Sequence, residues 1–405
     1  MKSLSLLFLF LLSAAGAAGA SMPGFLVQAL GVTSGFASSL AVDSRGTIYY
    51  TTTVGDLYRF VNGISTKVAH LPTEAIGDSG LLGLALRDDR TAVVHYVNIG
   101  QTADVVSEVD LETGAERVLH SFVGDITFPG RSVPVEHHGG NPTVAADGSV
   151  FVAIGDYGGG AIAAKTEWNA GKVWRIAPDG TATQFARGFR NPFDLAWDAP
   201  RQRIVLADNG PVVDDELDIV RAGEYHGWPY TAGNQPPIEG AVAPRYVFPK
   251  VVAPTGLAAL SGRNPILSRG YLLGAFVTKA IYWIPDVDAP TVEPVALIAG
   301  ETSFVIDVTE SSNGDIYFVT NSALYRLIVP ARGDCNGDGV VDSSDATALA
   351  LELADGNPEP VMNAPSGAFR GSFACDVNGD GFIDSSDAAA LASVIRGRTR
   401  AVRAR

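Results

Sequence analysis

Two twelve-residue stretches carry oxygen ligands at the spacing a hard cation needs. Asp334, Asn336 and Asp338 alternate, so their side chains can converge; Gly339 permits a sharp turn and Val340 offers its backbone carbonyl. Asp342 can act directly or through a water, and Asp345 closes the set from the first turn of a following helix. Asp376, Asn378, Asp380, Gly381, Phe382, Asp384 and Asp387 repeat the design 42 residues later. Two Ca2+ ions are the expected occupants. An EF-hand loop ends in Glu, whereas both copies here end in Asp, and neither follows a clear helix. The chain has 2 cysteines, Cys335 and Cys375, each beside one loop. In an exported protein such a pair is expected to be a disulfide, here tying the start of one loop to the start of the other.

A second set of polar residues falls into four phrases: Gly77-Asp78-Ser79-Gly80, Val135-Glu136-His137-His138-Gly139-Gly140-Asn141, Gly188-Phe189-Arg190-Asn191-Pro192, and Asp208-Asn209-Gly210-Pro211 with the acidic run Asp214-Asp215-Glu216 behind it. A His flanked by carboxylates is suited to general-base work near neutral pH. Arg beside Asn suits an anionic, oxygen-rich ligand, and a Gly-Pro turn among acids offers carbonyls to calcium. Each phrase also has a plainer reading: His137-His138 as surface residues, Arg190-Asn191-Pro192 as a turn.

The elements that must position these residues are short strands. Ser39-Leu40-Ala41-Val42, a turn at Asp43-Ser44-Arg45-Gly46 and Thr47-Ile48-Tyr49-Tyr50 state a phrase that returns near residues 142–156, 195–209 and 307–327, and more faintly near 81–109 and 256–284. Six such units predict an all-β six-bladed β-propeller over residues 24–330, since each small sheet leaves faces that ring closure buries. Residues 331–333 read as a linker and 334–397 as a small α-helical domain of duplicated calcium loop and helix. Residues 354–373 read as a connector within it, and 398–405 as a basic, frayed tail. Residues 1–20, with Lys2, the apolar run Leu6–Leu12 and Ala18-Gly19-Ala20, have the form of a cleaved secretory signal, so a secreted, cell-surface or periplasmic protein with no later membrane span is expected. The net charge of −15 argues against nucleic acid as a partner.

With these residues in view, the duplicated loop-helix resembles the type I dockerin module, which implies a cohesin-type partner contacted through Ser343-Ser344 and Ser385-Ser386. The propeller phrases, together with Gly171-Lys172-Val173-Trp174-Arg175-Ile176 and Ala253-Pro254-Thr255-Gly256-Leu257, resemble the soluble glucose/sorbosone dehydrogenases that use pyrroloquinoline quinone (PQQ). The resemblance spans roughly residues 36–328. It implies that His137 is the general base for the C1 hydroxyl of a sugar substrate, with Glu136 as its acidic neighbour and Asp78 contacting the sugar. It also implies that Arg190, Asn191 and Lys279 hold PQQ and that the carbonyls of Gly210 and Pro211 bind one calcium ion. The sequence departs from the family where two Arg should precede Asp307-Val308: Ser303-Phe304-Val305-Ile306 stands there. His138 and Asn141 likewise replace the family's usual Asn and Arg. A propeller that binds carbohydrate or protein without turnover is therefore the alternative, and a metal-dependent lactonase a third reading.

Overall fold

Glycine turns set the blades. Gly46, Gly148 and Gly314 take φ of 83°, 81° and 88°, a region open to glycine without a Cβ penalty. Each lies between the first and second strands of a sheet. In the first of these turns Asp43 accepts the amides of Arg45 and Thr47, which fixes the reversal. The computed structural model describes residues 25–123, 136–198, 201–264, 266–355, 359–360, 373–380 and 382–403. The expected signal segment and most of the connector within the C-terminal domain lie outside them.

Within the described residues the strands form six four-stranded antiparallel sheets and one two-stranded pair. The six-unit reading is borne out. Strand β1 (Leu26–Val32) is the outermost strand of the last blade, where it pairs with β24 (Ala323–Ile328), Leu26 opposite Ile328. The N-terminal strand thus closes the ring. Second strands such as Val150–Ile154 and Tyr271–Ala275 are buried at every position, because neighbouring blades cover both faces. The outer strand Ile64–His70 is half solvated.

The inner strands are β2 (Ala37–Val42), β6 (Leu81–Leu86), β10 (Thr143–Val144), β14 (Pro192–Asp198), β18 (Pro254–Ala259) and β22 (Val305–Glu310). Five of them carry a register irregularity near the start, at Ala37/Ser39, Leu81/Gly83, Pro192/Asp194, Pro254/Gly256 and Val305/Asp307. A bulge re-aims the residues beside it. Here it accompanies a buried polar knot. Asp307 Oδ2 accepts Ser39 Oγ and the Leu40 amide at 2.8 and 2.9 Å, and Asp194 Oδ2 accepts Asn141 Nδ2 and the Leu257 amide at 2.9 and 2.6 Å. Gly83 and Gly256 leave the room: a Cβ on either would press on Asn141 or Asp307. Asn141, which departs from the family pattern in the sequence, belongs to this knot.

Burial pushes the Asp307 carboxyl from 3.8 up to about 7 against the pull of the Leu40 amide, and burial with the charge of Asp307 raises Asp194 well above its usual range. The folded Asp194–Asp307 pair therefore holds a proton that the unfolded chain releases. Its contribution is fully present below pH ~4 and is lost as pH rises through ~7. We expect the thermal midpoint of Asp307→Asn to vary less than that of the wild type across this window, as read by calorimetry. A wild-type and variant difference that is constant with pH would contradict the buried-proton account.

The C-terminal domain holds α1 (Ser343–Glu352) and α2 (Ser385–Arg403), whose contacts bring Cys335, Val341, Leu349, Cys375, Val377, Ile383 and Leu391 into one apolar cluster that continues into Phe25 and Leu327 of the last blade. Helix α2 runs on to Arg403, past the expected start of the basic tail at 398, in keeping with the high helix propensity of its Arg and Ala residues. Within the connector, Glu359–Pro360 pairs with Phe382–Ile383 beside the second loop. Among the described residues no helix is long and apolar enough to cross a membrane.

Candidate functional site

The inner strands all begin at one end of the propeller, and the loops there bring the predicted polar residues together. His137, just before β10, takes φ 59°. Its backbone N–H donates to Asp78 Oδ2 at 2.6 Å, and its Nδ1 lies 2.7 Å from Asp156 Oδ1. Asp156 is 1% exposed. It also accepts the amides of Gly158 and Gly160 and the indole N–H of Trp228, at 2.8, 3.1 and 2.7 Å. Four donors occupy its two oxygens, so the imidazole proton sits on Nδ1 and the Nε2 lone pair is left to act as a base. The chain threads between blades here because it lacks side chains: a Cβ on Gly139 would strike the carbonyl of Ala153, and one on Gly140 that of Phe193.

His138 turns the other way. Its Nδ1 lies 3.3 Å from Asp104 Oδ2, which also accepts the Tyr157 hydroxyl at 2.5 Å, while Asp104 Oδ1 lies 3.0 Å from His95 Nε2. Burial alone would raise the Asp104 carboxyl, but His138 and His95 hold it well below its usual range. His95 Nδ1 in turn lies 2.8 Å from the Gly140 carbonyl, so this buried network braces the segment that carries His137.

Arg190 and Asn191 sit just before β14, where their amides donate to Asp208 at 2.9 and 2.6 Å. The Arg190 guanidinium donates to the Asn209 carbonyl at 2.8 Å and stands 5.9 Å from the Trp228 ring centroid. Gly210 follows, its amide held by Asp215 Oδ1 at 3.1 Å, while Asp215 Oδ2 accepts the amides of Val252 and Ala253. Pro211 is exposed beside it, as is Glu136 beside His137. Lys279 lies in the loop after Tyr271–Ala275 at this same end, its ammonium 5.4 Å from the Phe304 centroid. Phe304 stacks on Phe276 at 4.2 Å and 6°. Phe304 stands in the stretch where the sequence resemblance calls for cations.

One oxygen of Asp78 holds the His137 backbone amide, and its buried Oδ1 has no hydrogen-bond partner among the described residues. Sequence reasoning did not single out Asp156 and Trp228, which only the ring brings to His137.

The two calcium loops share one hydrogen-bond pattern. Asp345 Oδ1 accepts the Asn336 amide and Oδ2 the Asp342 amide, and Asp387 does the same for Asn378 and Asp384. Asn336 and Asn378 accept the amides of Asp338 and Asp380, which accept those of Val340 and Phe382. Asp342 also caps α1. Asp334 Oδ1 is buried without a hydrogen-bond partner, and burial, with Asp345 and Asp338 nearby, raises its carboxyl. Asp376 Oδ1 accepts the amides of Gly379 and Asp380. Among the described residues no three His, Cys, Asp or Glu side chains are gathered as a metal-holding group. Cys335 and Cys375 are buried thiols in contact: the hydrogen bond from Cys335, with burial, pushes the Cys375 thiol far up.

The glucose/sorbosone dehydrogenase family model matches residues 36–329, and the type I dockerin domain model matches residues 332–396. A quinoprotein glucose dehydrogenase B of Acinetobacter calcoaceticus is 24% identical over 208 residues, covering 41% of this chain and 43% of that protein. An aldose sugar dehydrogenase of Escherichia coli is 22% identical over 302 residues, covering 66% of this chain and 81% of that protein. With the Acinetobacter protein and an uncharacterised Synechocystis protein, of which 56% is matched, the aligned stretch spans about half of the relative. The PQQ-bound structure of an aldose sugar dehydrogenase from Streptomyces coelicolor shares the fold with a TM-score of 0.65 at 19% identity, over 76% of this chain and 99% of that one.

Proposed function

The chain belongs to the glucose/sorbosone dehydrogenase family, and from that premise we propose that its propeller oxidises an aldose at C1 with PQQ and calcium, while its dockerin fixes it to a cohesin-bearing partner outside the cell. The observation that carries this reading is the His137–Asp156 dyad, at the same end of the ring as Arg190, Asn191 and Lys279. The donor set fits a planar polycarboxylate. Two cations and an amide answer its charge, and the half-buried aromatic faces of Trp228 and Phe304 offer flat apolar contact.

PQQ, when bound, supplies the acceptor for the electron pair leaving the sugar. Nε2 of His137 takes the C1 hydroxyl proton, and Asp156 holds the imidazole in the tautomer that can do so. Asp78, through the His137 amide, fixes the backbone from which the ring projects. The Gly210 and Pro211 carbonyls bind the propeller calcium, and the two C-terminal loops bind one ion each. Phe304 stands where the resemblance places cations, and this favours the second reading, a propeller that binds carbohydrate without turnover. At ~1.5–3 kcal/mol per charged hydrogen bond, loss of two cations weakens hold on a tricarboxylate substantially.

The two readings separate when the purified chain is titrated with PQQ and Ca2+ and then assayed for dye reduction with a panel of aldoses. Saturable uptake followed by sugar-dependent reduction is the expected result. Uptake without reduction by any aldose supports the binding reading, and absence of uptake overturns the quinoprotein one.

A further inference from the structure

We propose that Lys172 is a positioning residue for the dyad, a built-in cation that clamps the loop carrying Asp156; this rests on the reading of His137 as the base. Lys172 opens the strand β12 (Lys172–Ile176) and is fully buried. Its ammonium donates to the carbonyls of Ala170, Ala163 and Ile162 at 2.6, 2.9 and 3.3 Å. An ammonium has three N–H donors, and three carbonyls converge on this one. Buried charge persists where it is hydrogen-bonded, and these three carbonyls lie on one loop.

That loop runs from Asp156 to Gly171. At its start Gly158 and Gly160 donate to Asp156; at its end the Gly171 amide donates to the Gly155 carbonyl at 2.8 Å. The Ala163 carbonyl accepts both Lys172 and the Gly188 amide, so the clamp reaches the segment that bears Arg190. The Asp156 amide donates to the Arg190 carbonyl at 2.8 Å. Without the ammonium, the Ala163 and Ile162 carbonyls keep only the amides of Gly188 and Lys165, and the Ala170 carbonyl loses its 2.6 Å donor. The loop then relaxes outward, and Asp156 loses the amides that aim its carboxylate at the imidazole. Lys172 touches neither dyad member in these contacts, and its effect is on orientation.

The test uses the full chain. In Lys172→Met, the 15N NMR signature of His137, read without cofactor, should shift from a single Nδ1–H tautomer to a mixture. In the PQQ-loaded protein kcat should fall about 10²-fold, with KM changed little, as for a misplaced reacting group. Lys172→Arg should not restore either reading, because a planar guanidinium cannot send three donors from one nitrogen to three carbonyls as an ammonium does. Lys172→Ala in methylammonium chloride should recover the tautomer, and the same chain in sodium chloride should not. This last comparison also decides the matter if the methionine variant does not fold. An unchanged tautomer below the melting transition, whatever the loss of stability, overturns the proposal. Failure of the wild type to turn over any aldose would count against the dehydrogenase reading and leave the tautomer result to decide for Lys172.

Discussion

His137→Ala is expected to lower kcat of the PQQ-loaded chain by about 10²–10⁴-fold, the usual span of general-base catalysis, while PQQ uptake stays close to wild type. The separation follows from geometry. The cofactor-facing candidates Arg190, Asn191 and Lys279 are held by Asp208, Asn209 and the loop after Tyr271–Ala275, none of which depends on the imidazole. Asp156→Asn should cost nearly as much. An amide in that position can offer its NH2 to Nδ1 and favour the tautomer with the proton on Nε2, which has no lone pair left for the sugar hydroxyl. Stopped-flow reduction with a saturating aldose checks both variants, and raising the pH should not restore His137→Ala. A His137→Ala chain with wild-type turnover would remove the imidazole from the mechanism.

The residues that could be read from sequence are those whose partners are close in the chain. The blades were legible because a turn such as Asp43–Gly46 and the strand after it form one local unit, and because the unit repeats. The calcium loops were legible for the same reason, with all loop ligands of a copy inside twelve positions. Asp156 was not, although only 19 residues separate it from His137. At the end of a buried strand it reads as a turn residue, and its role depends on four donors, one of them from Trp228, 72 residues away. The role of Asn141 also needed the ring: it stands beside His137-His138-Gly139-Gly140 in the chain, and the axis holds it through Asp194 and the Leu84 amide. Phe304 shows a third kind of limit. The absence of Arg was visible in the sequence, but the Phe276 stack and the Lys279 ammonium beside it appear only once two blades are adjacent.

Calcium removal should produce the largest structural change the chain can show short of unfolding its ring. The C-terminal domain has few apolar residues for two helices of 10 and 19 residues, and isolated helices of such lengths are marginal in water. Its charged interior makes this worse. Asp334, Asp345 and Asp387 are fully buried, and Asp334 Oδ1 has no hydrogen-bond partner. A divalent cation offsets that burden, and at 100-fold excess over its dissociation constant each ion adds about 2.7 kcal/mol of stability. Chelation with EGTA should therefore lower the helical signal in circular dichroism and remove a low-temperature unfolding transition. The transition of the six blades, closed by β1 on β24, should remain. Asp345→Ala should release the first loop alone, since Asp345 accepts both the Asn336 and Asp342 amides. Oxidation of Cys335 and Cys375 to a bridge should soften the effect of EGTA, because it holds the two loop starts together when the ions leave. Helicity that is unchanged by EGTA in the reduced chain would show that the loops do not need the ion, and the duplicated motif would then be a fold element without its metal function.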